Sequence, residues 1–142
     1  MLISGSCHCG NIAFTLLWSP EPTAIPARAC ACSFCTKHGG VWTSCPTGTL
    51  TISIGQPERI SRYSFGTRTA VFLVCTHCGV VPAVTSRIAD RLYAVVSVNA
   101  LHDVDPALIH RAAEAVNFDG ENEEQRLDRR QRNWIGHVEY AA

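Results

Sequence analysis

The chain carries no excess of either charge: twelve Lys and Arg stand against twelve Asp and Glu, for a formal net charge of zero. A partner held by neutralising its phosphates calls for a basic excess, so nucleic acid is not an expected partner. Positive residues are also missing directly after Met1, where Leu2-Ile3-Ser4-Gly5 follow, and a secretory signal is therefore not expected. Long apolar runs are absent. The most apolar tracts, Ala70 to Val74 and Leu92 to Val98, fall far short of a bilayer span, so no membrane partner is expected and both read as strands of a soluble core. No repeat, linker or low-complexity segment interrupts the chain. At 142 residues, 46% apolar and 17% charged, it is expected to fold as a single domain over 1–142, in the cytoplasm.

What the chain has in quantity is cysteine, eight in all. A disulfide framework needs an oxidising compartment, which the N-terminal residues do not indicate. The spacing points to metal. Cys7 and Cys9, Cys30, Cys32 and Cys35, and Cys75 and Cys78 sit in C-x-C or C-x2-C clusters, where neighbours bond each other poorly but can share one ion. Cys75-Thr76-His77-Cys78-Gly79 has the form of a zinc knuckle, with Gly79 supplying the positive φ that closes such a turn; Cys7-His8-Cys9-Gly10 is a shorter version. Each knuckle offers two thiolates, and pairing the two completes a tetrahedral structural site.

The triple cluster admits two readings. Three protein ligands and a vacancy are the pattern of a catalytic zinc, whereas Cys45, ten residues on, could close the site as a fourth thiolate. Spacing also leaves open a grouping of Cys7 and Cys9 with Cys30 and Cys32. Among the histidines, His8 and His77 lie between ligands and are expected to point away from metal. His38, in Lys37-His38-Gly39-Gly40, could serve as a general base, a hydrogen-bond partner for a ligand or a substrate contact. His102, His110 and His137 show no ligand spacing.

The remaining pattern is mainly β. Asn11 to Trp18, Leu50 to Ile54, Arg59 to Phe65, Thr69 to Val74, Val80 to Thr85 and Leu92 to Val98 read as short strands, with cysteine knuckles at strand ends. Only the last third reads as helical: Asp105-Pro106 can cap a short turn, and Glu121 to Arg132 reads as a solvated helix with i,i+4 ion pairs. Trp134 and Ile135 then return the chain to the core.

These motifs together resemble the glutathione-dependent formaldehyde-activating enzyme family, which includes centromere protein V. The resemblance rests on Ser6-Cys7-His8-Cys9-Gly10-Asn11-Ile12, on the stretch from Cys30 to Gly40, and on Cys75 to Gly79, with a weaker echo from Val98 to Pro106. It implies an Mss4-like zinc-binding β fold with short C-terminal helical segments. It also implies two zinc ions per chain: a structural one on Cys7, Cys9, Cys75 and Cys78, and a catalytic one on Cys30, Cys32 and Cys35. The activity implied is that of a carbon–sulfur lyase, joining a small aldehyde to a thiol such as glutathione or cleaving the adduct. A zinc-stabilised protein-interaction module without catalysis is the competing expectation, and a methionine sulfoxide reductase is weaker because no cysteine follows Cys78. No basic cluster marks a place for glutathione's carboxylates; Arg28, Lys37 and Arg87 are the candidates.

Overall fold

A computed structural model describes residues 1–142. The strands in chain order are β1 (Leu2–Ser6), β2 (Ile12–Leu17), β3 (Ile25–Ala29), β4 (Val41–Thr43), β5 (Thr49–Ile54), β6 (Ile60–Tyr63), β7 (Val71–Cys75), β8 (Ala83–Ile88), β9 (Arg91–Ser97), β10 (Leu101–His102), β11 (Ile109–Arg111) and β12 (His137–Tyr140). Helix α1 (Ser33–His38) lies between β3 and β4, and α2 (Glu123–Asn133) precedes β12. The strands form two sheets, ordered β10-β1-β2-β5-β12 and β11-β3-β4-β9-β8-β7-β6. The fold is mainly β, as the sequence indicates.

Strand periodicity fixes which residues face inward. In β2, Ile12, Phe14 and Leu16 are buried while Thr15 and Leu17 are exposed, and antiparallel pairing sets Phe14 opposite Ile52 and Leu16 opposite Leu50. Burying each of these apolar side chains contributes about 2 kcal/mol. Leu73, Ala83, Ala94 and Val96 of the larger sheet join the same core cluster. Their strand neighbours Phe72, Val84 and Val95 point the other way and form a second cluster with Cys35, Trp42 and Val81. The larger sheet is therefore apolar on both faces. Its inner face meets the smaller sheet, and its outer face carries the features described below.

The C-terminal segment closes both layers. Ile135, fully buried, exchanges two backbone hydrogen bonds with Ala94, and β12 then pairs parallel to β5. Three expectations need correction. The run expected from Val80 becomes a strand only at Ala83, because Val80 is occupied in closing the knuckle, its carbonyl accepting from the Cys75 N–H, and Pro82 has no N–H to give a ladder. Helix is not confined to the last third: α1 lies within the second cysteine cluster. Helix α2 is not simply a solvated helix, since Arg130 on it is buried, and the ion pair at Arg129 is made with Glu121, which precedes the helix.

Candidate metal centres and the adjoining cavity

The first centre forms where two hairpins meet. Cys7 follows β1 and Cys75 ends β7, so the two knuckles come from different sheets. Gly10 and Gly79 adopt φ of +84° and +80°, the left-handed turns that bring each chain back toward its strand. The sulfurs of Cys7, Cys9, Cys75 and Cys78 all lie within 4.8 Å of one another, with 3.8 Å between Cys7 and Cys9 and 3.5 Å between Cys9 and Cys75. Four thiolates at about 2.3 Å from one zinc stand about 3.8 Å apart, so this cluster has the dimensions of a tetrahedral site. Cys7 and Cys75 are buried, and the Ile12 N–H donates to the Cys7 sulfur at 3.3 Å. Burial pushes the Cys7 thiol up to about 11. At Cys78 burial acts in the same direction but is outweighed by the N–H groups of Cys9 and Val80 and by the neighbouring thiols, which bring it down to about 6.

The second centre is built on the connection from β3 to β4. Cys30 leaves β3 with its N–H donating to the Gly40 carbonyl. Cys32 is the N-cap of α1, its sulfur accepting from the Cys35 N–H at 3.3 Å, and Gly39 ends the helix at φ +72°. The three sulfurs again lie within 4.8 Å of one another. Trp42 donates its indole N–H to the Cys35 sulfur at 3.4 Å. A Cβ on Gly40 would stand 3.0 Å from the Cys35 Cβ and 3.1 Å from its sulfur, so a larger residue would press on the cluster and shift its neighbours by a few tenths of an ångström. The Cys35 thiol beside Cys30 holds Cys30 down to about 6, aided by the Cys32 N–H and the Arg129 charge against the opposing effect of burial. The same contact, with burial, pushes Cys35 up. Each cluster could hold a metal ion, and all-thiolate donor sets of these dimensions suit zinc.

Cys45 is not part of this second cluster. It is buried in the core between the sheets, where its sulfur contacts the Ser19 carbonyl at 3.5 Å and the Thr47 hydroxyl at 3.6 Å. The grouping of Cys7 and Cys9 with Cys30 and Cys32 is likewise not what the chain adopts.

The three-cysteine cluster opens into a cavity of about 650 Å³ over the outer face of the larger sheet, within the size range of small-molecule sites. Phe72, Val84 and Val95 form its floor, and Phe65, Phe118 and Trp134 contribute aromatic walls. Helix α2 supplies the polar side. Arg126, Arg129, Arg130, Asn133 and Trp134 follow i, i+3, i+4, i+7, i+8 spacing and all line the cavity, while Glu124 and Asp128 lie exposed on the opposite side. Arg130 is 6% exposed; it donates from one terminal nitrogen to Thr69 Oγ1 at 2.7 Å and to Ser86 Oγ at 3.3 Å. Arg129 pairs with both oxygens of Glu121 and stacks on Phe118. The Nε atoms of Arg126 and Arg130 are buried without a partner. Each such orphan donor costs about 1–3 kcal/mol. Burial, with the nearby Arg129 and Arg126, lowers Arg130 to about 10.

Of the basic candidates from the sequence, Arg28 lines this cavity; Lys37 and Arg87 do not. His38 is exposed, tilts against Phe34 with ring centroids 4.5 Å apart, and lines a separate cavity of about 520 Å³ with Ser6, His8 and His102. Partial loss of hydration lowers its pKa. The arginine face of α2 is what sequence reasoning missed; its signal was the i, i+3, i+4 spacing of Arg126, Arg129 and Arg130.

Residues 2–116 match the family described as glutathione-dependent formaldehyde-activating enzyme. The chain belongs to that family. A stretch of 40 residues is 48% identical to a putative glutathione-dependent formaldehyde-activating enzyme of Halomonas elongata. That match covers 28% of this chain and 24% of the relative, so the chain spans about a quarter of the length of the curated protein it matches. A crystal structure of a Rhodobacter sphaeroides protein, a structural-genomics target, is similar with a TM-score of 0.58 and 29% identity, covering 81% of this chain and 99% of that one. Helix α2 and its arginines lie beyond the residues that match the family. No helix of this family member is long and apolar enough to cross a membrane.

Proposed function

We propose that residues 1–142 act as one cytoplasmic zinc-dependent domain that forms or cleaves the carbon–sulfur bond between a small aldehyde and a thiol such as glutathione. The observation that carries this reading is the three-cysteine cluster opening into the cavity while Cys45 points into the core. Cys7, Cys9, Cys75 and Cys78 serve as a structural site in this scheme, and Cys30, Cys32 and Cys35 as the reactive one. Held there by Cys30, Cys32 and Cys35, a zinc ion would supply a Lewis acid able to lower the pKa of a substrate thiol.

The chain's own residues do the rest. The Trp42 indole fixes the direction of the Cys35 sulfur, and the Cys32 cap ties ligand geometry to the start of α1. Phe65, Phe118 and Trp134 line the cavity beside the cluster, and a thiolate partly stripped of water there is more reactive toward an electrophilic carbon. In the forward direction the thiolate sulfur bonds to the aldehyde carbon. The carbonyl oxygen gains the proton that the thiol has lost, and reversal releases both components. His38 lies outside this cavity and receives no part in the scheme.

The test uses Co(II)-substituted protein titrated with glutathione, alongside an NMR assay for the hydroxymethyl adduct with formaldehyde. Thiol-dependent change in the thiolate-to-metal bands together with accelerated adduct exchange is expected. A thiol-silent metal and no acceleration would leave two structural zincs and favour the interaction-module reading.

A further inference from the structure

We infer that Phe118, Glu121 and Arg129 form a clasp that positions Cys30, so that α2 governs how firmly the three-cysteine cluster holds a metal ion. The inference rests on the reading of that cluster as a metal centre and is independent of the reaction proposed for it.

The three thiols are not held alike. Cys32 caps α1 and Cys35 lies within it, so the first turn of that helix fixes those two sulfurs to one another. Cys30 precedes the helix and is oriented by its strand neighbours. On one side its own N–H donates to the Gly40 carbonyl at 3.1 Å. On the other side lies Val116, bridged to Cys30 in parallel register. The Val116 N–H donates to the Ala29 carbonyl at 2.8 Å, and its carbonyl accepts from the Ala31 N–H at 2.9 Å. Val116 therefore grips the backbone immediately before and after Cys30.

What keeps Val116 in place lies on either side of it. Upstream, the pairing of β11 with β3 holds the chain as far as Ala112, whose N–H donates to the Ala27 carbonyl. Residues 113–115 are then exposed. Downstream, Phe118 is the one half-buried residue between Val116 and Glu121, and the Arg129 guanidinium lies over its ring, 3.5 Å from the centroid. The Glu121 N–H donates to the Phe118 carbonyl, a bend that brings the carboxylate to the same guanidinium. Arg129 Nε reaches both Glu121 oxygens, at 3.0 and 3.1 Å, and its side chain is 13% exposed, which shields the pair from solvent. The capping box of Asn122 and Gln125 starts α2 directly after Glu121 and fixes the carboxylate to a rigid element. The segment from Val116 to Glu121 is thus fastened to Cys30 at one end and to α2 at the other. Groups that orient a metal ligand without touching the metal set how tightly it is held. Opening the clasp frees Cys30 while Cys32 and Cys35 keep their places.

The test loads the full chain with Co(II), challenges it with a chelator and follows the thiolate-to-metal bands of each centre. Amide hydrogen exchange at Ala31 and Val116 is measured on the same proteins. Glu121→Gln is expected to speed loss of the second ion about tenfold and to speed exchange at both amides, with the first ion and the melting temperature nearly unchanged. Arg129→Lys keeps a charge beside Phe118 but loses the two-pronged geometry, and should fall between Glu121→Gln and wild type. Glu124→Gln, on the exposed side of α2, should behave as wild type. Unchanged release of the second ion from Glu121→Gln would overturn the clasp, and so would equal hastening of both ions, the mark of a general loss of stability. A wild-type chain that binds one ion only would overturn the metal reading itself. Exchange at Ala31 then decides the hold on Cys30: faster exchange in Glu121→Gln supports it, and unchanged exchange overturns it.

Discussion

The two cysteine clusters use the same ligand atom in opposite settings. The first draws its pairs from hairpins in two different sheets, and two of its sulfurs are buried. The second takes all its thiols from one connection, of which only Cys35 is buried, and faces a cavity. Where strands converge, a metal ion held by the four thiols would replace core that a thin β layer lacks. Where a loop hangs over a sheet face, the same chemistry is left accessible. In the proposed scheme, location relative to the sheets, more than ligand type, separates a fastener from a reactive centre.

The comparison breaks most sharply at Cys75. A structural zinc can contribute about 10 kcal/mol, comparable to the whole net stability of a domain. Cys75→Ser is therefore expected to yield unfolded or insoluble protein, checked by circular dichroism and sedimentation. Recovery of soluble, folded protein with one metal would erase the distinction between the centres.

Cys35→Ser should be milder. Folded protein containing one metal ion by elemental analysis is expected, with a melting temperature lowered by several degrees for a lost core contact of about 1–2 kcal/mol. Collapse as complete as that of Cys75→Ser would make both centres structural.

Gly40→Ala probes the second centre without touching a ligand. Its Cβ would press on the Cys35 Cβ and sulfur and on the Trp42 indole nitrogen, at 3.0 to 3.1 Å. Overpacking of this kind costs about 1–3 kcal/mol. Competition with a chelator should show weaker retention of the second metal by about tenfold or more, with the first unchanged. Equal weakening of both would mean that the centres are coupled through the fold.

The smallest effect is expected at Cys45. Cys45→Ala removes one buried sulfur from the core, at about 1 kcal/mol. Two metals should remain per chain by elemental analysis, and loss of the second would return Cys45 to the ligand set.

Much of this arrangement was legible in the sequence. The alternation in Ile12, Phe14 and Leu16 exposes a strand, and paired thiols at short spacing expose a metal site regardless of tertiary detail. The pairing of Cys7 and Cys9 with Cys75 and Cys78 was a matter of resemblance, since local spacing carries no information on which knuckles meet. Helix α1 was hidden because six residues give too little periodicity, and its cap is a cysteine, whose sulfur stands in for the usual hydroxyl or carboxyl oxygen. The role of α2 was hidden differently. Interspersed charges read as solvation until the outer face of β8, with Val84 and Ser86 turned outward, gives one side of the helix something to cover.

The order of synthesis gives the C-terminal helix a further meaning. All seven clustered thiols lie between Cys7 and Cys78, whereas α2 begins at Glu123 and β12 at His137. A growing chain folds from its N-terminal side first. Every thiol has therefore left the ribosome while α2 is still unmade, and metal can be captured through an open flank. Arrival of α2 then roofs the cavity, so an ion bound by the cluster could be loaded before enclosure.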